Sequence, residues 1–378
     1  MSARVLAALA ASAERLWGNA SSPHAEGQAS RLALETARER VAAFAGVSSQ
    51  ELVFTSGGSE SNNAAIRGAL AAASPPRHVV TSSVEHPSVT ETCRSLQSQG
   101  VEWSPLRVDG RGLTDPDELA RLLAAKPACL VSVMHANNET GVIQPVEDLA
   151  RMAHAAGSLF HTDVVQSAGR IPIRASVAAS DFASITSHKL AGPPGIGALV
   201  VRDGARFVPA MTGGAQEGRR RAGTEPVPLA VAFAEALAAA EETGAVEGER
   251  QASLRDFIEE AIRSFAPGSI VHGCSAPRLP NTSNVFIPGA AGRMLVMQLD
   301  LMGYAISTGS ACSTGSSRPS HVLTAMGCAE QEAIDSVRIS LGGPVSRDEI
   351  AGFLSALSEA LERATGAKLA PAPAGVGR

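Results

Sequence analysis

The chain has 378 residues, 44% hydrophobic and 18% charged, which is enough apolar material for a large core and argues against a disordered chain. Lys and Arg total 32 against 37 Asp and Glu, a formal net charge of −5, and aromatics are only 3%. That balance argues against a nucleic-acid binder, which needs a basic footprint or stacking platforms. The five cysteines are odd in number and form no C-x-x-C pair, so neither a disulfide framework nor a zinc signature is expected. A reducing, cytoplasmic compartment is the natural reading. No apolar run reaches the ~18 residues that a membrane span needs.

In chain order, Val5, Leu9 and Leu16 recur near helical spacing, and Glu14 and Arg15 continue an amphipathic helix. This reading fits the N-terminus better than a signal peptide does, although Arg4 precedes a short apolar run. A helix is predicted over 28–45, stopped by Gly46. Short strand-like runs then start at Leu52, His78, Leu130, Leu159, Phe182 and Ala198. Helical segments near 60–73, 86–99, 116–125 and 145–156 separate most of them. Alternation of this kind predicts an α/β fold with a mainly parallel sheet and helices on both faces. Ligands in such sheets bind at the carboxyl ends of the strands. A long helix is predicted over 226–264, strands over 281–287 and 336–341, and a helix over 346–364. The expected organisation is a large domain over 1–246 and a smaller α+β domain over 247–378. The tail from Ala370 is low in complexity.

The strand ends carry the chemistry. Thr55-Ser56-Gly57-Gly58-Ser59-Glu60 opens a helix, and a Gly/Ser turn at a helix N-terminus suits an anion such as phosphate, although a plain capped helix start reads the same way. It is not a P-loop, because no Gly-Lys-Ser/Thr follows. Later strands are followed by Glu85-His86-Pro87, by Asn137-Asn138-Glu139, by Asp163 and by Ser187-His188-Lys189. His161 and Asp163 lack an evident third ligand, so no metal is expected there. Lysine is scarce across the middle of the chain, and Lys189 at a buried strand end is a Schiff-base candidate. One such position has a bland explanation, but five successive strand ends do not. A lysine, a carboxylate for a ring nitrogen, an anion cradle and a flat partner for a ring face are what pyridoxal 5'-phosphate requires.

The same segments resemble the cysteine desulfurases, which are fold-type I, class V aminotransferase-like enzymes. The likeness includes Phe54 to Asn63, Glu85-His86-Pro87, Asn137 to Gly141, His161 to Ser167 and Ser187-His188-Lys189. It continues in Gly213 to Glu217, Arg219 to Glu225, Ser307 to Gly315 and Arg338 to Gly342, in order, from about residue 4 to 364. The resemblance implies that Lys189 holds the cofactor and moves the proton at the substrate Cα. Asp163 would keep the ring nitrogen protonated, His86 would stack on the ring and help proton transfers, and Gln166 would bond the ring hydroxyl. Gly58, Ser59, Thr186 and His188 would hold the phosphate, and Thr224 would reach the phosphate of the partner subunit in a homodimer. Asn138 and Arg338 would bind the carboxylate of L-cysteine. Cys312, in a small polar loop between Gly309 and Gly315, would take the substrate sulfur as a persulfide and pass it to an acceptor protein. The loop is similar to that of the NifS/IscS-like group, which serves iron–sulfur scaffolds or thiolation proteins. Cys93, Cys129, Cys274 and Cys328 read as small hydrophobes.

The chain departs from that pattern in three places. It lacks the Tyr-Leu-Asp-Asn-type strand with which relatives usually begin, Gln216-Glu217-Gly218-Arg219 replaces a Gln-Glu-Arg-Gly order, and no Lys follows Pro193. Two other readings stand beside the desulfurase. One is a selenocysteine lyase or another class V lyase, from which Cys312 discriminates. The other is a truncated, non-catalytic paralogue that binds partners.

Overall fold

The computed structural model describes residues 1–309 and 318–366. The chain divides into two compact units. The first comprises 1–107, 114–135 and 144–245; the second comprises 108–113, 136–143 and the chain from Val246 onward.

In the first unit, the strands are β1 (Leu52–Thr55), β2 (His78–Ser82), β3 (Glu102–Leu106), β4 (Leu130–Ser132), β5 (Leu159–Asp163), β6 (Phe182–Thr186) and β7 (Gly197–Val201). They form one sheet in the order β1-β7-β6-β5-β4-β2-β3. The ladders among β3, β2, β4, β5 and β6 are parallel. Strand β7 runs against both β6 and β1, so β1 points the same way as β6. The carboxyl ends of β1, β2, β4, β5 and β6 therefore share one edge of the sheet.

The helices of this unit are α1 (Ala3–Arg15), α2 (Ala25–Ala45), α3 (Gly58–Ala72), α4 (Pro87–Gln97), α5 (Pro116–Ala125), α6 (Val146–Ala155) and α7 (Arg174–Ala178). A long helix, α8 (Val227–Phe265), contains the boundary between the units. The period of two along each strand sends alternate side chains to opposite faces. Leu52, Phe54, Ile185, Ala198 and Val200 pack with α1, α2 and the first half of α8. Val53, Phe182, Leu199 and Val201 pack with α3 and α4 on the other face. Val80, Val131 and Phe160 pack with α5 and α6. Strand β3 escapes the sequence reading for a physical reason. It is an edge strand bonded only to β2, it is mostly solvent-facing, and it contains Pro105, which only an edge tolerates.

The second unit has a four-stranded antiparallel sheet, ordered β10-β11-β9-β8. Its strands are β8 (Ile270–Val271), β9 (Thr282–Phe286), β10 (Ser307–Thr308) and β11 (Val337–Ser340). Its helices are α9 (Gly292–Leu301), α10 (His321–Ala325), α11 (Glu330–Asp335) and α12 (Arg347–Thr365). Phe265, Val285, Leu295, Leu299, Val337 and Leu357 are among its buried core. The segment 136–143 belongs here because Val142 bridges Arg278, and the Leu279 N–H donates to the Gly141 carbonyl at 2.8 Å.

Candidate active site

Two strand ends and a turn build an anion cradle in the first unit. Thr55 and Thr186, at the ends of β1 and β6, both pair with Gly197 of β7. The turn after β1 passes so close that a Cβ on Gly197 would stand 2.7 Å from the Gly57 Cα. A Cβ on Gly57 would stand 3.6 Å from Thr186 Oγ1, and one on Gly58 would strike Val165 at 2.8 Å. Gly57 has φ +150°, and as the N-cap of α3 it provides no side-chain cap. The first-turn amides of α3 thus have no intrahelical partner and face the positive end of the helix. Thr186 Oγ1 lies 3.0 Å from His188 Nδ1. Gly58, Thr186 and His188 therefore converge, with Ser59 exposed in the first turn of the same helix.

A second group of polar side chains surrounds Asp163 at the end of β5. Asp163 is buried; its Oδ2 accepts from Asn62 Nδ2 at 2.7 Å, and its Oδ1 accepts from the Val165 N–H at 2.9 Å. Asn62 Nδ2 also donates to Ser88 Oγ, which lies 2.8 Å from His86 Nδ1. The Ser88 N–H donates to that same Nδ1, so the proton of the neutral ring sits on Nε2. His86 is the N-cap of α4, and its imidazole replaces the usual Ser or Asp cap. Burial raises the carboxyl pKa of Asp163, opposed by the Asn62 bond, the Val165 amide and the nearby His86. A carboxylate held this way is completed by a cationic N–H partner. The protonated ring nitrogen of pyridoxal 5'-phosphate is such a partner, and the cradle suits its phosphate, so the residues fit this cofactor.

Glu85 lies beside this group and is wholly buried. Its Oε1 accepts from Ser82 Oγ and from the Met134 N–H, both at 2.7 Å. Burial pushes its carboxyl up to about 8, and the Asp163 charge adds to the rise. Asn62, Ser88 and Glu85 were missed as functional residues by the sequence reading. Glu85 and Asn62 lie inside quoted motifs, but nothing in the linear pattern pairs Asn62 with Asp163, 101 residues away.

Lys189 departs from expectation. It stands in the 3-10 turn Ser187–Leu190 beyond β6 and is exposed, not buried. The turn advances the chain past the sheet edge, so Leu190 rather than Lys189 packs inward. Gln166 is half-buried three residues after Asp163, and its carbonyl accepts from Arg170 Nη1 at 2.8 Å. Thr224 is exposed. Three residues earlier, Arg221 donates to both oxygens of Glu60 in the first turn of α3. The ring nitrogens of buried His161 lie 2.8 Å from Ser132 Oγ and 3.0 Å from Ser184 Oγ.

In the second unit, Arg338 Nη1 on β11 donates to the Asn138 carbonyl at 3.1 Å and to the Gly309 carbonyl at 3.3 Å. Glu139 is buried, and its Oε2 accepts from Ser320 Oγ at 2.5 Å. Arg338 and Ser320 thus converge on adjacent residues, Asn138 and Glu139. Cys312 itself lies outside the described residues. Of the other cysteines, Cys93 is buried, Cys129 and Cys328 are half-buried, and Cys274 is exposed, so the expected role of small buried hydrophobe holds fully for Cys93 alone.

The family model for class V aminotransferases matches residues 1–353. A cysteine desulfurase named IscS from Dictyoglomus turgidum is 40% identical over 348 residues, covering 92% of this chain and 88% of that protein. A cysteine desulfurase from Cereibacter sphaeroides is 43% identical, covering 90% and 88%. Among solved structures, a NifS-like protein superposes with a TM-score of 0.89 at 33% identity, covering 96% of each chain.

Proposed function

We propose, from the premise that this chain belongs to the class V aminotransferase family of pyridoxal-phosphate enzymes, that it is a cysteine desulfurase: it takes sulfur from L-cysteine, releases L-alanine and carries the sulfur as a persulfide. The observation that carries the reading is the buried Asp163, tied through Asn62 and Ser88 to His86 and set at the same sheet edge as the Gly58–Thr186–His188 cradle.

Asp163, His86 and Gln166 would hold the ring of the cofactor, and Gly58, Ser59, Thr186 and His188 its phosphate. Lys189, exposed on the turn beyond β6, would bind it covalently. The bound cofactor supplies an electron sink for charge developing at the substrate Cα. Lys189 removes and returns the proton at that carbon. Arg338, positioned by the Asn138 carbonyl, would bind the substrate carboxylate by charge-assisted hydrogen bonds. The Cys312 thiolate attacks the substrate sulfur. A sulfur–sulfur bond forms, the carbon–sulfur bond breaks, its electron pair stays with the substrate carbon, and that carbon is protonated to give alanine. The persulfide then passes to an acceptor protein, an iron–sulfur scaffold or a thiolation protein, in the cytoplasm. In this reading the large domain, 1–246, holds the cofactor and the smaller one, 247–378, carries Cys312 and Arg338. Thr224 completes the phosphate site of the second subunit in a homodimer.

The test is turnover of L-cysteine by the purified protein with a reductant. Alanine and sulfide in equal amounts are expected, with borohydride fixing the cofactor to the peptide that contains Lys189. Absence of alanine, or preference for selenocysteine with no turnover of cysteine, removes the desulfurase reading.

A further inference from the structure

His272, Cys328 and Glu332 converge in the second unit, and none of the three has a role in the site described above. Their ligand atoms lie within 4.8 Å of one another. His272 follows β8 directly, and its N–H extends the ladder to the Asn284 carbonyl at 2.9 Å. Glu332 lies in α11, Cys328 just before its N-cap and Ser336 at its C-cap, and all three approach the imidazole.

The hydrogen bonds fix how the ring is presented. Ser336 Oγ donates its only proton to the Glu332 carbonyl at 2.6 Å. It therefore accepts from His272 Nε2, 2.9 Å away, which must carry the ring proton. The Nδ1 lone pair is left facing Cys328 Sγ at 3.6 Å and Glu332 Oε1 at 3.7 Å. A metal-ligating histidine commonly donates its other ring N–H to an outer acceptor, and the Ser336 hydroxyl fills that place here.

The spacing has a specific meaning. Tetrahedral zinc with Zn–S of about 2.3 Å and Zn–N and Zn–O of about 2.0 Å separates sulfur from nitrogen by about 3.5 Å, and nitrogen from a carboxylate oxygen by about 3.3 Å. The Sγ–Nδ1 distance matches the first, and the Nδ1–Oε1 distance needs only a small rotation of the Glu332 side chain to meet the second. One imidazole, one thiol and one carboxylate make a borderline-soft donor set that suits zinc better than magnesium or calcium. The His272 side chain is 3% exposed and that of Glu332 is 22% exposed, so the group is reached by solvent on the carboxylate side.

We propose that His272 Nδ1, Cys328 Sγ and Glu332 Oε1 form a zinc-binding site. On binding, the thiol proton passes to solvent and the sulfur coordinates as thiolate. The ion joins α11 to the end of β8. The trio is not a nucleophilic cysteine–histidine pair: burial first, and the Glu332 charge with it, push the Cys328 thiol up to about 11. The sequence reading could not see this site, since Cys328 and His272 are 56 residues apart and no C-x-x-C or H-x-x-H spacing marks it.

The test uses holoenzyme in a Cys312→Ser background, so that the thiol assigned to catalysis binds nothing. Co2+ is titrated as an optical probe, and Zn2+ is measured by calorimetry and by metal content after desalting. One ion per chain is expected, with a thiolate-to-cobalt charge-transfer band. Adding Cys328→Ser removes the band, and adding Glu332→Gln weakens Zn2+ binding at least tenfold. Lack of stoichiometric binding in the parent, or a band and affinity unchanged in both variants, overturns the site. If Cys328→Ser fails to fold by circular dichroism, the partly exposed Glu332→Gln decides alone: unchanged affinity refutes the site.

Discussion

Replacing Glu85 by Gln should make the protein more stable, and only at neutral and alkaline pH. The amide of Glu85→Gln keeps a carbonyl oxygen for the Ser82 hydroxyl and the Met134 N–H, so the hydrogen bonds to Oε1 survive. What changes is the proton. The carboxyl titrates at about 8 when folded, against an ordinary 4.5. The folded state therefore holds this proton more tightly than the unfolded one, and stability falls as pH rises between those two values. The cost begins near pH 4.5 and is complete above pH 8. At about 1.4 kcal/mol per pH unit it amounts to roughly 3 kcal/mol at pH 7 and about 5 kcal/mol at pH 9. Glutamine never ionises and escapes it. Urea unfolding of the apoproteins at pH 5, 7 and 9 reads the difference. Wild type and variant should agree within about 1 kcal/mol at pH 5 and diverge by several kcal/mol at pH 9, with the variant more stable. Parallel curves across that range would show that the carboxyl ionises freely in the fold and would refute the reasoning.

Three further outcomes are expected. Arg38 grips Glu217 through both oxygens at 2.6 and 2.9 Å, with both side chains buried; Arg38→Met strands that carboxylate and should cost about 3–5 kcal/mol by denaturant unfolding, a loss below about 1 kcal/mol being inconsistent with the pair. Arg338→Ala should raise KM for L-cysteine about 10- to 100-fold, the equivalent of losing one charged hydrogen-bonding partner, while leaving cofactor absorbance intact; unchanged KM assigns the carboxylate to another residue. Cys312→Ser should fold and retain cofactor but gain no sulfur in mass spectra after exposure to cysteine without reductant, and a persulfide found on Cys93, Cys129, Cys274 or Cys328 would move the nucleophile there.

The order of strands and turns, the phosphate-suited turn at Gly57–Gly58 and the succession His86, Asp163, Lys189 were legible in the sequence. They are local: period-two apolar runs, glycine turns and helix starts are written in consecutive residues. Only the tertiary structure decided which of these residues touch. The bond from Asn62 to Asp163 joins a helix start to a strand end, and the buried, protonated Glu85 depends on walls from β2 and the chain beyond β4. Lys189 is expected to be buried because it follows an apolar strand end, yet a single 3-10 turn carries it to the surface. Edge strand β3 was invisible because an edge needs no apolar alternation. The His272–Cys328–Glu332 group was hidden for the opposite reason. Its members lie on a strand end, a short helix and the chain before it with no shared spacing, and only the packing of α11 against the small sheet brings their ligand atoms within 4.8 Å of one another.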